Sequence, residues 1–122
     1  MADRTSGPVV AAIEDLDHLP GMLRAAARLA AGTPIKLLIV AESEEQAVWM
    51  EDQARLMIAG QGDVKVASTA TARGEPAVIA EALRRMHGGF VVALFGGLVV
   101  PRAGTLRALA GALEGPLFIV RP

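Results

Sequence analysis

Five short runs of Val, Ile and Leu alternate along the chain with segments whose apolar residues recur every three to four positions. The first run is 8–14, Pro-Val-Val-Ala-Ala-Ile-Glu. After Asp17 the spacing of Leu19, Met22, Leu23, Ala26, Ala27 and Leu29 predicts an amphipathic helix closed by Gly32, with Arg24 and Arg28 one turn apart on its outer face. A second strand is predicted over 34–41. Ser43-Glu-Glu-Gln46 then reads as a capping box, the Ser oxygen accepting the amide three residues on while Gln46 reaches back. The helix it opens carries Val48, Met50, Leu56, Met57 and Ile58 as its apolar positions and ends at Gly60 or Gly62.

The run 64–70, Val-Lys-Val-Ala-Ser-Thr-Ala, alternates polar and apolar, which suits a strand at a sheet edge. Gly74-Glu-Pro76 opens a third helix, Pro falling in the first turn where its missing N–H costs nothing. That helix bears Val78, Ile79, Ala82, Leu83 and Met86 and stops at Gly88-Gly89. The continuous apolar run 90–95 predicts a central parallel strand covered on both faces. A short fourth helix is predicted from Gly104-Thr105 to Leu113, and 116–121 closes the series as the last strand. Strand–helix alternation with short connections implies right-handed crossovers. The predicted fold is therefore a single α/β domain over 1–122, with residues 1–7 as a flexible lead-in. It is a three-layer α/β/α sandwich of Rossmann-like type around a five-stranded parallel sheet.

Composition agrees with a folded chain. Of 122 residues, 52% are hydrophobic and 20% charged, while 3% are aromatic, so the core must be built from Ala, Val, Leu and Ile. The formal charge is −1 and the 12 basic residues are scattered, which argues against a nucleic-acid footprint, as does the lack of aromatic stacking platforms. The absence of cysteine removes disulfides, thiolate metal sites and cysteine nucleophiles. Residues 1–8 lack the cationic and apolar regions of a signal peptide, so none is expected, and the longest apolar stretch is too short to span a bilayer. The expected location is the cytoplasm, away from membranes.

In sheets of this class ligands bind beyond the carboxyl ends of the strands, where the strand order reverses. The residues there are predicted to be Glu14, Asp15 and Asp17; Glu42 and Ser43; Thr71 to Gly74; and Gly96 to Thr105. Gly104-Thr105 at a helix start suits a small anion, with exposed amides, the helix dipole and Arg102 nearby; the alternative is a plain N-cap. The acidic cluster Glu14, Asp15 and Asp17 suits a metal or a ribose hydroxyl, or else Asp17 caps the first helix while its neighbours face water. A receiver domain also places acidic residues here, but the end of the third strand offers Ser68, Thr69 and Thr71 in place of a phosphoacceptor Asp. His18 and His87, each near a helix end and with no carboxylate pattern beside it, read as surface residues. No Ser, Thr or Lys has a recognisable activating partner, so no catalytic residue is assigned. The apolar segment 98–101, Leu-Val-Val-Pro, either closes the crevice or forms an interface with a protein partner.

Taken in order, several of these segments resemble the universal stress protein family. The match covers nearly the whole chain: 9–14 resembles the family's first strand, 25–30 its small-residue helix, and 72–76, Ala-Arg-Gly-Glu-Pro, the start of its third helix. The segment 90–97 is similar to the strand leading to its phosphate loop, and 116–121 to its closing strand. Nucleotide-binding members carry Gly, two residues, Gly, nine residues, then Gly-Ser or Gly-Thr. Gly96 and Gly104-Thr105 stand at the ends of that pattern, but the glycines are eight positions apart, position 99 is Val, and the family's first-strand Asp is Glu14. The resemblance implies a stress-response or regulatory module acting by association, a homodimer through the last strand, and a nucleotide site. In that site Glu14 lies near ribose or metal, Val40 near adenine, and Gly96, Gly104 and Thr105 near phosphates. The shortened loop points away from ATP and toward a smaller ligand such as AMP, or none. A slow metal-dependent nucleotide hydrolase using the acidic cluster is the enzymatic alternative.

Overall fold

A computed structural model of the protein describes residues 9–60, 64–86, 90–94 and 117–120. The elements are β1 (Val9–Ile13), α1 (Leu19–Ala30), β2 (Ile35–Ala41), α2 (Glu44–Ala59), β3 (Val66–Arg73), α3 (Pro76–Arg85), β4 (Phe90–Leu94) and β5 (Leu117–Val120). The strands form one sheet in the order β3-β2-β1-β4-β5, and every neighbouring pair is parallel. The fourth predicted helix and the segment 98–101 lie outside the described residues.

Alternation along each strand divides the core in two. Val9, Ala11 and Ile13 of β1, with Leu37 and Ile39 of β2, pack against α1 and α2 on one face. Val10 and Ala12, with Leu38 and Val40, face α3 through Ile79, Leu83 and Met86 on the other. Strands buried on both sides need continuous apolar runs, and β1 is buried at all five positions. The Ala residues of β1 let neighbouring helices approach closely, which is how a core almost free of aromatic residues reaches close packing.

α1 starts with Pro20 in its first turn and buries Leu19, Met22, Leu23, Ala26 and Ala30, the predicted stripe. At its end Ala31 and Gly32 both take positive φ, 52° and 94°, a turn that Gly makes without a Cβ penalty. α2 begins as read: Ser43 Oγ accepts from the Gln46 amide at 3.1 Å. Gln46 Oε1 accepts from the Glu42 amide at 2.8 Å, one residue further back than a capping box places it.

Two expectations are corrected. Of the apolar positions assigned to α2, Val48 and Leu56 are 60% and 70% exposed, together with Trp49 at 57%. The buried stripe is Ala47, Met50 and Ala54. Ala47 and Ala54, with Met50 between them, at i, i+7 and i+3 seat the helix on the sheet, and this turns Val48 and Leu56 outward. The third strand also starts and ends later than its alternation suggested. Val64 and Lys65 precede it, although the Lys65 carbonyl still accepts from the Ile35 amide at 2.9 Å. Pairing with β2 then runs on to Ala41↔Arg73. Thr71 to Arg73 are therefore strand, not the loop beyond it. The edge position read for this strand holds, since β3 ends the sheet order.

α3 is tied to the sheet by a contact the sequence did not advertise. Lys36 of β2 donates from Nζ to the Met86 carbonyl at 3.0 Å, placing a cation at a helix C-terminus where the dipole favours it.

Candidate functional site at the strand carboxyl ends

β1 leads out to β2 on one side and has β4 on the other, so the strand order reverses between β1 and β4. In open sheets of this kind that reversal, beyond the carboxyl ends of the strands, is where ligands bind. Glu14 leaves β1 at that point and is half-buried. Asp15 follows and does what the sequence reading gave to Asp17. Its Oδ1 accepts from the His18 amide at 2.9 Å, and so it satisfies a free donor at the start of α1. Asp17 is exposed, and the N-cap of α1 is His18, which makes no side-chain capping bond. The i,i+3 spacing to His18 within the connection 14–18 lets Asp15, rather than Asp17, fold back over the helix end.

The same carboxylate holds the imidazole. His18 Nδ1 lies 2.8 Å from Asp15 Oδ1 and 3.0 Å from Oδ2. This corrects the reading of His18 as a surface histidine with no carboxylate partner. The signal that finds it is the i,i+3 spacing Asp15-Leu-Asp-His18 across a helix start. His87 lies outside the described residues. Replacing Asp15 by Ala should cost about 0.5–2 kcal/mol, the range for losing an N-terminal acceptor. Urea unfolding measures this; an unchanged midpoint would show that the Asp15 contacts contribute nothing.

Val40 sits near the end of β2 with its side chain fully buried against α3. A ligand at this point meets backbone rather than the isopropyl group. Beyond it, a hollow of about 270 Å³ opens at the carboxyl ends of β2 and β3, bordered by Ala41, Ser43, Arg73 and Val78. Arg73 was expected in the loop after the strand; as the last residue of β3 it still reaches this end of the sheet. Gly96, Gly104, Thr105 and Arg102 lie outside the described residues. The structure thus joins Asp15 to His18 just after β1, next to Glu14, and buries Val40 in the core on the α3 side.

The charge of the described rim is mostly acidic: Glu14, Asp15, Asp17, Glu42 and Glu44 against His18 and Arg73. Carboxylates suit sugar hydroxyls, as acceptors, and oppose a phosphate. Among the described residues, no group of three or more His, Asp or Glu side chains is placed to hold a metal ion. Nor is any described helix long and apolar enough to cross a membrane.

Set beside known proteins, the chain matches no family model and no curated protein by sequence. Its structure, however, superposes on solved ones. A universal stress protein from Archaeoglobus fulgidus matches at TM-score 0.65 and 17% identity, over 93% of this chain and 92% of that one. A structure of the universal stress protein from the same organism in complex with dAMP matches at TM-score 0.65 and 17% identity, over 94% of this chain and 98% of that one. The fold of this chain is that of the universal stress proteins, the family its sequence motifs resemble.

Proposed function

We propose that this protein is a small regulatory binding module of the universal stress protein type that holds an adenine nucleoside monophosphate in the crevice between β1 and β4. The observation that carries the reading is the near end-to-end superposition on a protein solved with dAMP, joined to a strand order that reverses at β1. Glu14 is assigned to the ribose hydroxyls, the backbone at Val40 to the adenine, and Gly96, Gly104 and Thr105 to the phosphate. The division of charge supports this arrangement. The acidic rim beside β1 accepts from sugar hydroxyls and repels a phosphate, which is left to the sequence after β4, where Arg102 and Gly104-Thr105 occur.

A monophosphate fits the shortened spacing from Gly96 to Gly104 better than ATP, because a shorter loop has fewer amides to wrap a triphosphate chain. The module is assigned to the cytoplasm, to stress response, and to a homodimer through the outer edge of β5, a strand that ends the sheet order and leaves a row of backbone groups for a second copy.

Thermal unfolding against AMP, dAMP, ADP, ATP and cyclic nucleotides, with and without magnesium, tests the reading. A ligand bound only by the folded state at about a hundred times its Kd adds about 2.7 kcal/mol, which for a domain of this size raises Tm by about 10 °C. AMP and dAMP are expected to give the largest shift, independent of magnesium. No shift with any nucleotide would overturn the nucleotide reading and leave an interaction module docking through 98–101. Magnesium-dependent phosphate release from ATP, lost in Glu14→Gln, would replace it with the hydrolase.

A further inference from the structure

Among the described residues, the edge of the sheet opposite β5 is long and carries no further strand. β3 has eight residues, Val66–Arg73, and among the described residues it pairs with β2 alone. It contains no Pro and no Lys, and its one charge, Arg73, is at the end. Sheet edges are usually blunted by such residues, by bulges or by short length; the register shift in this strand falls at its start, between Ile35 and Lys36 on the partner side. Ala67, Ser68, Thr71 and Arg73 are exposed.

Each face of this edge carries a groove walled by a helix. On one side, Glu51, Arg55 and Ile58 of α2 with 66–69 of β3 enclose about 430 Å³. On the other, Val78, Glu81 and Arg85 of α3 with 70–72 enclose about 620 Å³. Both helices present the same device: a Glu and an Arg one turn apart, at 3.3 Å for Glu51 and Arg55 and 3.3 Å for Glu81 and Arg85. At about 1.5 Å per residue in the helices and 3.3 Å in the strand, both pairs lie level with the middle of β3.

We propose that β3 pairs antiparallel with β3 of a second copy of this chain, about a two-fold axis normal to the sheet at Thr69 or Ala70. Such an axis brings each groove onto its own counterpart and reverses the helix direction. Glu51 then faces Arg55 of the partner subunit, and Glu81 faces Arg85 of the partner subunit, so both faces of the joint are self-complementary in charge. The isologous arrangement satisfies the outward backbone groups of both strands at once. Small and hydroxyl side chains at 67–72 leave room for the opposing strand. This joint is separate from the β5 edge and from the nucleotide reading, and its test touches neither.

The chain has no cysteine, so one introduced thiol reports one position. A residue on the axis meets its own copy at a Cα separation of about 4.5–5.5 Å, within disulfide range. Thr69→Cys and Ala70→Cys are compared with Ser43→Cys as a background, under mild oxidation, alongside sedimentation equilibrium of the unaltered protein. The expected result is a species of twice the chain mass, or a multiple of it, with one of the two β3 cysteines crosslinking well above the background. Arg55→Glu with Arg85→Glu should weaken the dimer about tenfold or more, and adding Glu51→Arg with Glu81→Arg should restore it. Three results would each overturn the proposal. They are a monomer with both cysteines at background, a dimer with both at background (which must use another surface), and a dimer indifferent to the charge reversals.

Discussion

Leu38→Ala is expected to remove about 2–5 kcal/mol of stability, with the loss toward the upper end. Leu38 is fully buried in the second strand. Its register partners on both sides are alanines, Ala12 on β1 and Ala70 on β3. Neither can swing a longer side chain into the space left behind, and the remaining cover comes from α3, through Ile79 and Leu83. The cost of a cavity grows with the volume that stays unfilled, so an alanine-rich sheet is least able to heal such a change. Against a total stability of about 5–15 kcal/mol for a domain, the loss is a large share of what holds the native state. Urea unfolding checks this, with an unchanged m-value showing that only the native state was affected. Leu56→Ala is the control: Leu56 is 70% exposed, and its loss should change stability by less than about 0.5 kcal/mol. A Leu38→Ala cost below about 1 kcal/mol would contradict the two-sided core.

Gly104→Leu is expected to weaken nucleotide binding at least a hundredfold, about 2.7 kcal/mol, while leaving the unfolding midpoint of the ligand-free protein near its original value. By its place in the sequence, Gly104 precedes Thr105 as the paired Gly-Thr of the phosphate pattern. A phosphate held by helix amides approaches the backbone closely, and a branched side chain there takes its space. Loss of binding with folding retained separates a ligand contact from a structural one. Equal affinity in the variant would remove Gly104 from the site. A large fall in the ligand-free midpoint would mean instead that the glycine is needed for the backbone itself.

Which parts of the molecule were legible in the sequence follows from how the signals arise. β1 and β4 declare themselves because a strand buried on both faces admits no polar residue, and α1 because its stripe is long and regular. α2 misleads: its packing rests on Ala47 and Ala54, residues too small to weigh in a periodicity, while Val48, Trp49 and Leu56 imitate a core face. The end of β3 was misplaced because Thr-Ala-Arg carries turn-like polarity, and only the length of β2 beside it decides that pairing continues to Arg73. At the site, strand alternation pointed to the carboxyl ends of the strands, and the sheet order puts its reversal between β1 and β4. The Asp15–His18 contact left only an i,i+3 spacing as its trace, which the angle of the turn from β1 into α1 converts into a contact. The resemblance to universal stress proteins lay in the order of weak motifs, none of them strong enough to give a sequence match, and the fold carries it.

The most direct measurement is a calorimetric titration of the purified full chain with AMP, in magnesium-free buffer. Saturable binding of about one nucleotide per chain is expected, tighter than for ATP under the same conditions and lost in Gly104→Leu. No heat of binding with AMP, dAMP or ATP, at protein concentrations well above any Kd that cellular nucleotide could fill, would contradict the nucleotide reading. The fold would then stand as a universal stress protein scaffold whose work is done through its surfaces.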